Sequence, residues 1–323
     1  MTAGTGPSAP APRPPTNRAD RIVDALFRWE TVLVFVFLYA PIILVVIFSF
    51  NAGERTGELR GLSLRWYERA IGDPFAMGAL RNSLTVAAWT ALIATVLGTG
   101  AALALARVNR YVRLVFDVFI YVAIIIPGLV LGIASLLFFV NLWAWANPVL
   151  AAVFDVVSLA PPVLGSGLHT IVAAHVLFTM AIVIVLVRAR LAGMDRSLVE
   201  ASGDLYATPL RTLRRVILPQ LRPAILAGAL LSFTFSFDDF IVAQFVAGPG
   251  QVTLPMYVFS SIRRGITPQI NAIGSIVLAV TVTGLVIVSL VYWRQLRQAA
   301  TRRRIQAALE ADAEAEIALG RGP

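Results

Sequence analysis

Six stretches of the chain are apolar enough, and long enough, to cross a bilayer: residues 31–50, 83–106, 117–140, 169–188, 224–247 and 270–293. A helix needs about 20 such residues to span the hydrocarbon core. Residues 141–168 are also apolar, but Asn147-Pro148 and Pro161-Pro162 interrupt them. We read that segment as an external loop with a short interfacial helix, Trp143 and Trp145 sitting at headgroup level. A seventh span there would invert everything downstream. Pro41 and Pro127 fall within or at the start of spans, where neighbouring helices can satisfy the freed carbonyl. The pattern predicts an all-α fold: a polytopic membrane helical bundle of about six transmembrane helices. Residues 1–21, rich in Pro, Ala and Arg, read as a disordered cytoplasmic tail. Residues 22–298 form the transmembrane domain, and 299–323 a second cytoplasmic tail.

Composition agrees. The chain is 58% hydrophobic and only 14% charged, whereas a soluble domain carries about 25% charged residues. There is no Cys, so no disulfide framework and no thiolate metal site. The two His, His169 and His175, both open the fourth span and read as helix-end or packing residues. Every one of the 27 basic residues is Arg. A Walker A loop needs a Lys on the nucleotide phosphates, so this chain does not hydrolyse ATP by that chemistry. The net charge of +9 reports topology rather than a nucleic-acid partner. With six spans, twenty Arg fall on the side of both termini and seven on the other. The positive-inside rule then makes the termini cytoplasmic.

The longest polar interruption is "RARLAGMDRSLVEASGDLYATPLRTLRRVILPQLRP", residues 188–223. Asp195 can N-cap a short helix through Ser202, with Gly203 as its stop. Thr208-Pro209 then opens a second helix, in which Leu210, Leu213 and Ile217 share one face. Pro219 and Pro223 are expected to end it. Two such helices can lie on the membrane surface or dock into a groove on a partner; periodicity leaves both open.

Within that loop, "EASGDLYATPLRTLRRVILP" (200–219) resembles the EAA loop of permease subunits of bacterial ATP-binding-cassette importers. Glu200 and Ala201 match, Ser202 replaces a second Ala, Val216 stands for Ile, and Leu218-Pro219 match. The family Gly falls on Tyr206, and Gly203 is the residue nearby that could take over the tight turn. "RNSLTVA" (81–87), "IIPGLVLGI" (125–133) and "SFDDF" through "RRGITPQINAIG" (236–274) agree. The last block is most similar to the spermidine/putrescine (polyamine) permeases; iron, thiamine and phosphonate permeases share the loop. The resemblance implies a type I importer permease fold in the bacterial inner membrane. It also implies a second permease subunit, an ATPase subunit dimer that binds ATP and Mg, and an external substrate-binding protein. No cofactor is implied for this chain. By the same resemblance the loop couples to the ATPase through Glu200, Ala201, Gly203, Asp204, Leu218 and Pro219.

The chemistry of the fifth span is the remaining question. Asp238 and Asp239 stand adjacent in an apolar helix, where each ionised carboxylate costs a few kcal/mol even on the mildest scale. At 100° per residue, Gly228, Ser232, Ser236 and Asp239 make one polar stripe, while Asp238 points about 100° away from Asp239. We expect Asp239, Ser236 and Ser232 to line a pathway, with Asp238 beside it. Either Asp could instead cap a broken helix or pair with an Arg. If the pair meets solute, the solute is a cation, and Phe233, Phe235, Phe237 and Phe240 offer cation–π faces. The alternative from another class is an ATP-independent carrier or channel for a cation. Trp66 and Tyr67 read as an interfacial pair, and Arg263 and Arg264 as a turn or a docking point.

Overall fold

The computed structural model describes residues 18–54, 57–156, 160–195, 197–265, 267–284, 286 and 290. They divide into two compact units, one of residues 1–67 with 267–323 and one of residues 68–266. The described residues are helical, with a single isolated β-bridge between Asn51 and Leu62. The expected tail 299–323 lies outside the described residues, as do residues 1–17.

In the first unit, helix α1 (Arg18–Ser49) begins inside the stretch read as tail. Its apolar side chains are exposed along most of its length. The turn that follows is organised by Asn51. The Asn51 side chain donates from Nδ2 to the Glu58 carbonyl at 2.7 Å. Its Oδ1 accepts from the Gly53 and Arg60 amides at 3.0 and 2.9 Å. Trp66 Nε1 donates to the Asn51 carbonyl at 2.8 Å, and the ring is buried. Trp66 therefore anchors this turn. The helix that follows it, α2, covers Arg65–Gly72.

In the second unit, Asp73 starts α3 (Pro74–Leu105): its Oδ1 accepts from the Phe75 and Ala76 amides, and Pro74 supplies a preset φ at the first position. Asn109 caps α4 (Arg110–Ile125) through the Val112 amide. The expected span 117–140 is thus two helices, because Pro127 removes an amide and Ile126 takes an extended conformation before α5 (Gly128–Val156). Helix α5 runs through Asn147-Pro148, which were expected to break it. The Asn147 side chain instead clamps the extended segment 160–167: Nδ2 donates to the Leu164 carbonyl and Oδ1 accepts from its amide, at 3.0 and 2.8 Å.

Helix α6 covers Leu168–Ala192 and α7 covers Ser197–Asp204. Helix α8 (Pro209–Thr212) passes through a π-helical turn, Leu213–Ile217, into α9 (Leu218–Asp238). Pro219 and Pro223 were expected to stop this helix and do not. The π turn absorbs the disruption: the Leu218 amide reaches back five residues to the Leu213 carbonyl just before Pro219. The loop expected over 188–223 therefore shrinks to the segment between Ala192 and Pro209. The fifth span ends at Asp238, nine residues short of the expected Ala247; α10 (Ile241–Val246) and α11 (Leu254–Arg264) follow. In the first unit, α12 (Pro268–Gly284) is apolar, and the rest of the span expected over 270–293 falls largely outside the described residues. Five described helical segments are long and apolar enough to cross a membrane: Ile22–Ser49, α3, Gly128–Asp155, α6 and the continuous Pro209–Asp238.

The core of the second unit is the three-helix contact of α3, α6 and α9. Val183 of α6 sits between two glycines. A Cβ built on Gly98 would lie 2.8 Å from the Val183 Cβ, and one on Gly228 would lie 3.3 Å from both Val183 methyl groups. Without a hydrophobic drive between helices in lipid, small residues that let backbones approach supply the association. Nearby, Gly132 of α5 admits the Phe245 ring of α10 in the same way.

This packing predicts unequal effects for two glycines on one helix. Gly98→Ala should lower the unfolding midpoint of the detergent-purified chain, by overpacking worth about 1–3 kcal/mol. Gly100→Ala, where nothing lies within 4 Å, should leave it unchanged. Equal midpoints for the two variants would contradict the wedge.

Candidate functional site: a carboxylate cleft and an exposed loop

Asp239 is where α9 stops. Its backbone is extended, φ −70° and ψ 125°, and α10 restarts two residues later. A break inside an apolar bundle frees backbone groups that no water can satisfy. Asp239 takes one of them: its Oδ1 accepts from the Ala243 amide of α10 at 3.0 Å. The same oxygen lies 3.2 Å from His175 Nε2 of α6, a close contact rather than an aligned hydrogen bond. On the other side of the ring, His175 Nδ1 lies 2.8 Å from Ser236 Oγ.

The break also changes which way the two carboxylates face. A continuous helix would separate them by about 100°. Here Asp238 and Asp239 line the same cleft of about 430 Å³, together with Phe178, Thr234, Phe235, Phe240 and Ile241. Asp238 is exposed and Asp239 half-buried. Ser232 and Ser236, expected beside them, turn inward instead: both are buried, Ser236 against His175 of α6, and neither lines the cleft. The stripe of small residues is real, but it serves packing against α6. Of the aromatic residues considered from the sequence, Phe235 and Phe240 line the cleft, while Phe233 and Phe237 stack on one another with ring centroids 6.0 Å apart. Phe240 also packs on Phe259 of α11, centroids 4.4 Å apart, and Arg263 lies over the Phe259 ring.

The two residues the sequence reading passed over are His175 and Phe178. His175 was read as a helix-end or packing residue, and it is fully buried. The signal that could have found it is chemical: among side chains within the spans, it is an ionisable group one helix away from a carboxylate pair. An ion pair lies toward the other end of α6, where Arg188 donates to Asp117 of α4.

The motif "RNSLTVA" acquires a role. Asn82 Nδ2 donates to the Val252 carbonyl at 3.0 Å, and Ser83 Oγ accepts from the Leu254 amide at 2.8 Å. Tyr257 donates to Asp73 Oδ2 at 2.8 Å. Burial raises the Tyr257 phenol above its ordinary value, and the Asp73 acceptor adds to it. Helix α11 is thereby tied to the start of α3.

In the loop, Asp195 Oδ1 accepts from the Ser197 amide at 2.9 Å and caps α7. The Ser197 hydroxyl, then its amide, hold the Asp195 carboxyl below its ordinary value. The cap is therefore present at neutral pH and is lost only as pH falls through that lowered value. Gly203 was expected to stop the helix; it does not. Tyr206 does, with φ 56°. The Tyr206 amide bonds the Gly203 carbonyl and the Ala207 amide bonds the Ser202 carbonyl, at 2.9 and 3.0 Å. That pair of bonds is a Schellman C-cap, in which the left-handed position is usually Gly. The residue at the position of the family Gly thus keeps the backbone a Gly would have. Ser202 Oγ bonds Thr212 Oγ1 at 2.9 Å and pins α7 to α8. Glu200, Ala201, Gly203 and Asp204 are exposed, whereas Leu218 and Pro219 are half-buried at the start of α9. Leu205, Tyr206 and Leu210 project as an exposed apolar group, 81%, 94% and 73% accessible.

Comparison with known proteins places these features in context. Residues 94–303 match the family model described as binding-protein-dependent transport system inner membrane component. The chain is 40% identical over 266 residues to the putrescine transport system permease protein PotI of Escherichia coli (strain K12), covering 80% of this chain and 89% of that one. It is 32% identical over 259 residues to the spermidine/putrescine transport system permease protein PotC of Haemophilus influenzae, covering 80% and 93%. Among solved structures, a chain of a bacterial ABC transporter that imports alginate shares the fold with a TM-score of 0.63. That match has 15% identity and covers 84% of this chain and 94% of that one.

A left-handed Tyr costs about 1 kcal/mol or more relative to Gly. Tyr206→Gly should therefore raise the hydrogen-exchange protection of α7. Tyr206→Val, β-branched, should lower it and fray the loop. Equal protection in all three proteins would remove the strain at this turn.

Proposed function

The chain belongs to the family of binding-protein-dependent transport system inner membrane components, and from that membership we propose that it carries a polyamine, putrescine or spermidine, across the membrane through the Asp238/Asp239 cleft. It is a permease subunit of an ATP-binding-cassette importer, most similar to polyamine permeases. The observation that carries the substrate reading is the cleft. Two carboxylates beside Phe178, Phe235 and Phe240 offer charge and aromatic faces to an ammonium group. Among the described residues that line the cleft, none is cationic. A polyamine places ammonium groups on an extended apolar chain, which suits that mixture.

Energy comes, on this reading, from a separate ATPase dimer that binds ATP and Mg, consistent with the absence of Lys from the chain. Helix α7 and the start of α8 form the element that docks on it. The Asp195 cap, the Schellman turn at Tyr206 and the Ser202–Thr212 bond make that element rigid, and the exposed Leu205, Tyr206 and Leu210 give it an apolar face. Glu200, Ala201, Gly203 and Asp204 flank that face. A second permease subunit completes the pathway, and an external binding protein delivers the solute. Residues 22–298 act as the transmembrane permease domain, with both termini cytoplasmic.

Reconstitution tests each part. Putrescine-loaded binding protein should raise ATP hydrolysis by the complete importer. Asp238→Asn and Asp239→Asn should each cut putrescine uptake at least about tenfold, a loss of ~1.4 kcal/mol or more, with assembly intact. Stimulation only by an unrelated solute would end the polyamine reading. Uptake by this chain without any ATPase would replace it with an ATP-independent carrier or channel. Separately, Glu200→Ala should lower transport per ATP hydrolysed; unchanged coupling and copurification would move the docking surface elsewhere.

A further inference from the structure

An ionised carboxylate at membrane depth persists only with a partner, because removing one member of a buried pair leaves an uncompensated charge. Asp238 is exposed, but Asp239 is half-buried, and the group behind it is His175. The imidazole is held from several directions. Nε2 faces Asp239 Oδ1 at 3.2 Å, Nδ1 faces Ser236 Oγ at 2.8 Å, and the Phe178 ring meets it edge-on with centroids 5.7 Å apart. Thr179 Oγ1 donates to the His175 carbonyl at 2.8 Å and fixes the turn of α6 below it. Phe178 in turn lines the cleft. The imidazole and the solute space thus meet the same carboxylate.

Ser236 is suited to a ring that changes charge. A hydroxyl accepts from a protonated Nδ1 or donates to a bare one by rotating. His175 can therefore gain or lose a proton with Nδ1 satisfied in both states. Among the described residues, the other charges of the helices packed against α6 lie away from the ring. Helix α6 packs against α3, α4, α5, α9 and α10. Helices α9 and α10 bring Asp238 and Asp239 to the ring. Arg81 of α3, Asp155 of α5 and Arg222 of α9 lie toward helix ends. Tyr121 of α4, and Asp117 through its Arg188 partner, lie at the far end of α6 with Arg113. Arg188 is thirteen residues from His175, about 20 Å along a helix.

We propose that His175 is a positioning residue for the cation cleft: protonated, it holds Asp239 while the cleft is empty, and it gives up that proton when an ammonium group takes the carboxylate. The inference rests on reading the cleft as a cation site. The exchange is balanced. One ammonium enters, one proton leaves His175 for solvent through the cleft, and Asp239 keeps a single positive partner throughout. The number of buried charges stays constant, so the cost of charge in apolar surroundings does not change as solute arrives. Cation and proton compete, and capture therefore weakens as pH falls.

The test uses the complete importer in proteoliposomes, with saturating putrescine-loaded binding protein, from pH 6 to 8. Assembled complex is measured by size exclusion for each variant. Wild-type uptake should rise with pH, by up to about tenfold per unit, the limit for one proton. His175→Gln keeps a side-chain amide toward Asp239 but does not titrate; it should retain uptake and flatten the profile. His175→Leu should lose uptake, and the double variant His175→Leu/Asp239→Asn should be no worse than Asp239→Asn alone. A wild-type slope in His175→Gln, or defects that multiply in the double variant, overturns the inference while leaving the cleft in place. Wild-type uptake of Asp238→Asn and Asp239→Asn sinks the cation site, and this inference with it.

Discussion

Val183 lodged between Gly98 and Gly228 sets the register of the central bundle. In lipid there is little hydrophobic reward for bringing helices together, so close backbone approach has to supply it. The two glycines let α3 and α9 press on the same β-branched side chain. Once Gly228 lies against Val183, the antiparallel course of α6 and α9 fixes what meets elsewhere. Eight residues on along α9 is Ser236; eight residues back along α6 is His175. Both steps are about 12 Å, and the two side chains meet at 2.8 Å. A methyl group at the glycine contact would disturb the polar contact two turns away, with no change to either of its members.

That register also explains why the helix can break where it does. Ending α9 at Asp239 would strand backbone groups in an apolar interior. The Asp239 side chain accepts the Ala243 amide, and His175, already held by Ser236, stands beside the carboxylate. The break is what turns Asp238 and Asp239 toward one cleft. Capping the helix break and lining the cleft were alternatives in sequence reading, yet one carboxylate does both. Its Oδ1 bonds α10 while the residue lines the cleft.

Much of this was legible in the chain, and the failures share one cause. Apolar length located the first, second and fourth spans within a few residues at most ends, because hydrophobic thickness is a property of the segment alone. The misplacements came where a local rule met a tertiary contact. Pro148 was expected to break a helix whose Asn147 is committed to Leu164. Pro219 was expected to end one that a π turn carries through. Gly203 was chosen over Tyr206 as the turn residue because left-handed backbone disfavours a side chain, yet two Schellman bonds hold Tyr206 there. The helical wheel separated Asp238 from Asp239 because a wheel presumes an unbroken helix. His175 carried no periodic or motif signal, since a partner sixty-four residues away leaves no trace in local sequence.

The loop and the cleft are two ends of one helical rod. Pro209–Asp238 is continuous over 30 residues, about 45 Å. At its lower end Thr212 is bonded to Ser202 of α7, and at its upper end Ser236 is bonded to His175. A displacement of α7 cannot be absorbed by a loop, because none separates α8 from α9. It is taken up in the π turn or carried to the cleft. The π turn is the compliant section, since its wider hydrogen-bond spacing already departs from the regular ladder. Above it, Val183 holds α9 against α6 and α3. The carried motion therefore becomes a pivot about the glycine contact, with Asp238 and Asp239 on the moving end. On the proton-exchange reading, an ammonium on Asp239 replaces only the carboxylate's contact with His175, and the Ser236 bond keeps the upper end of α9 on α6 in both states.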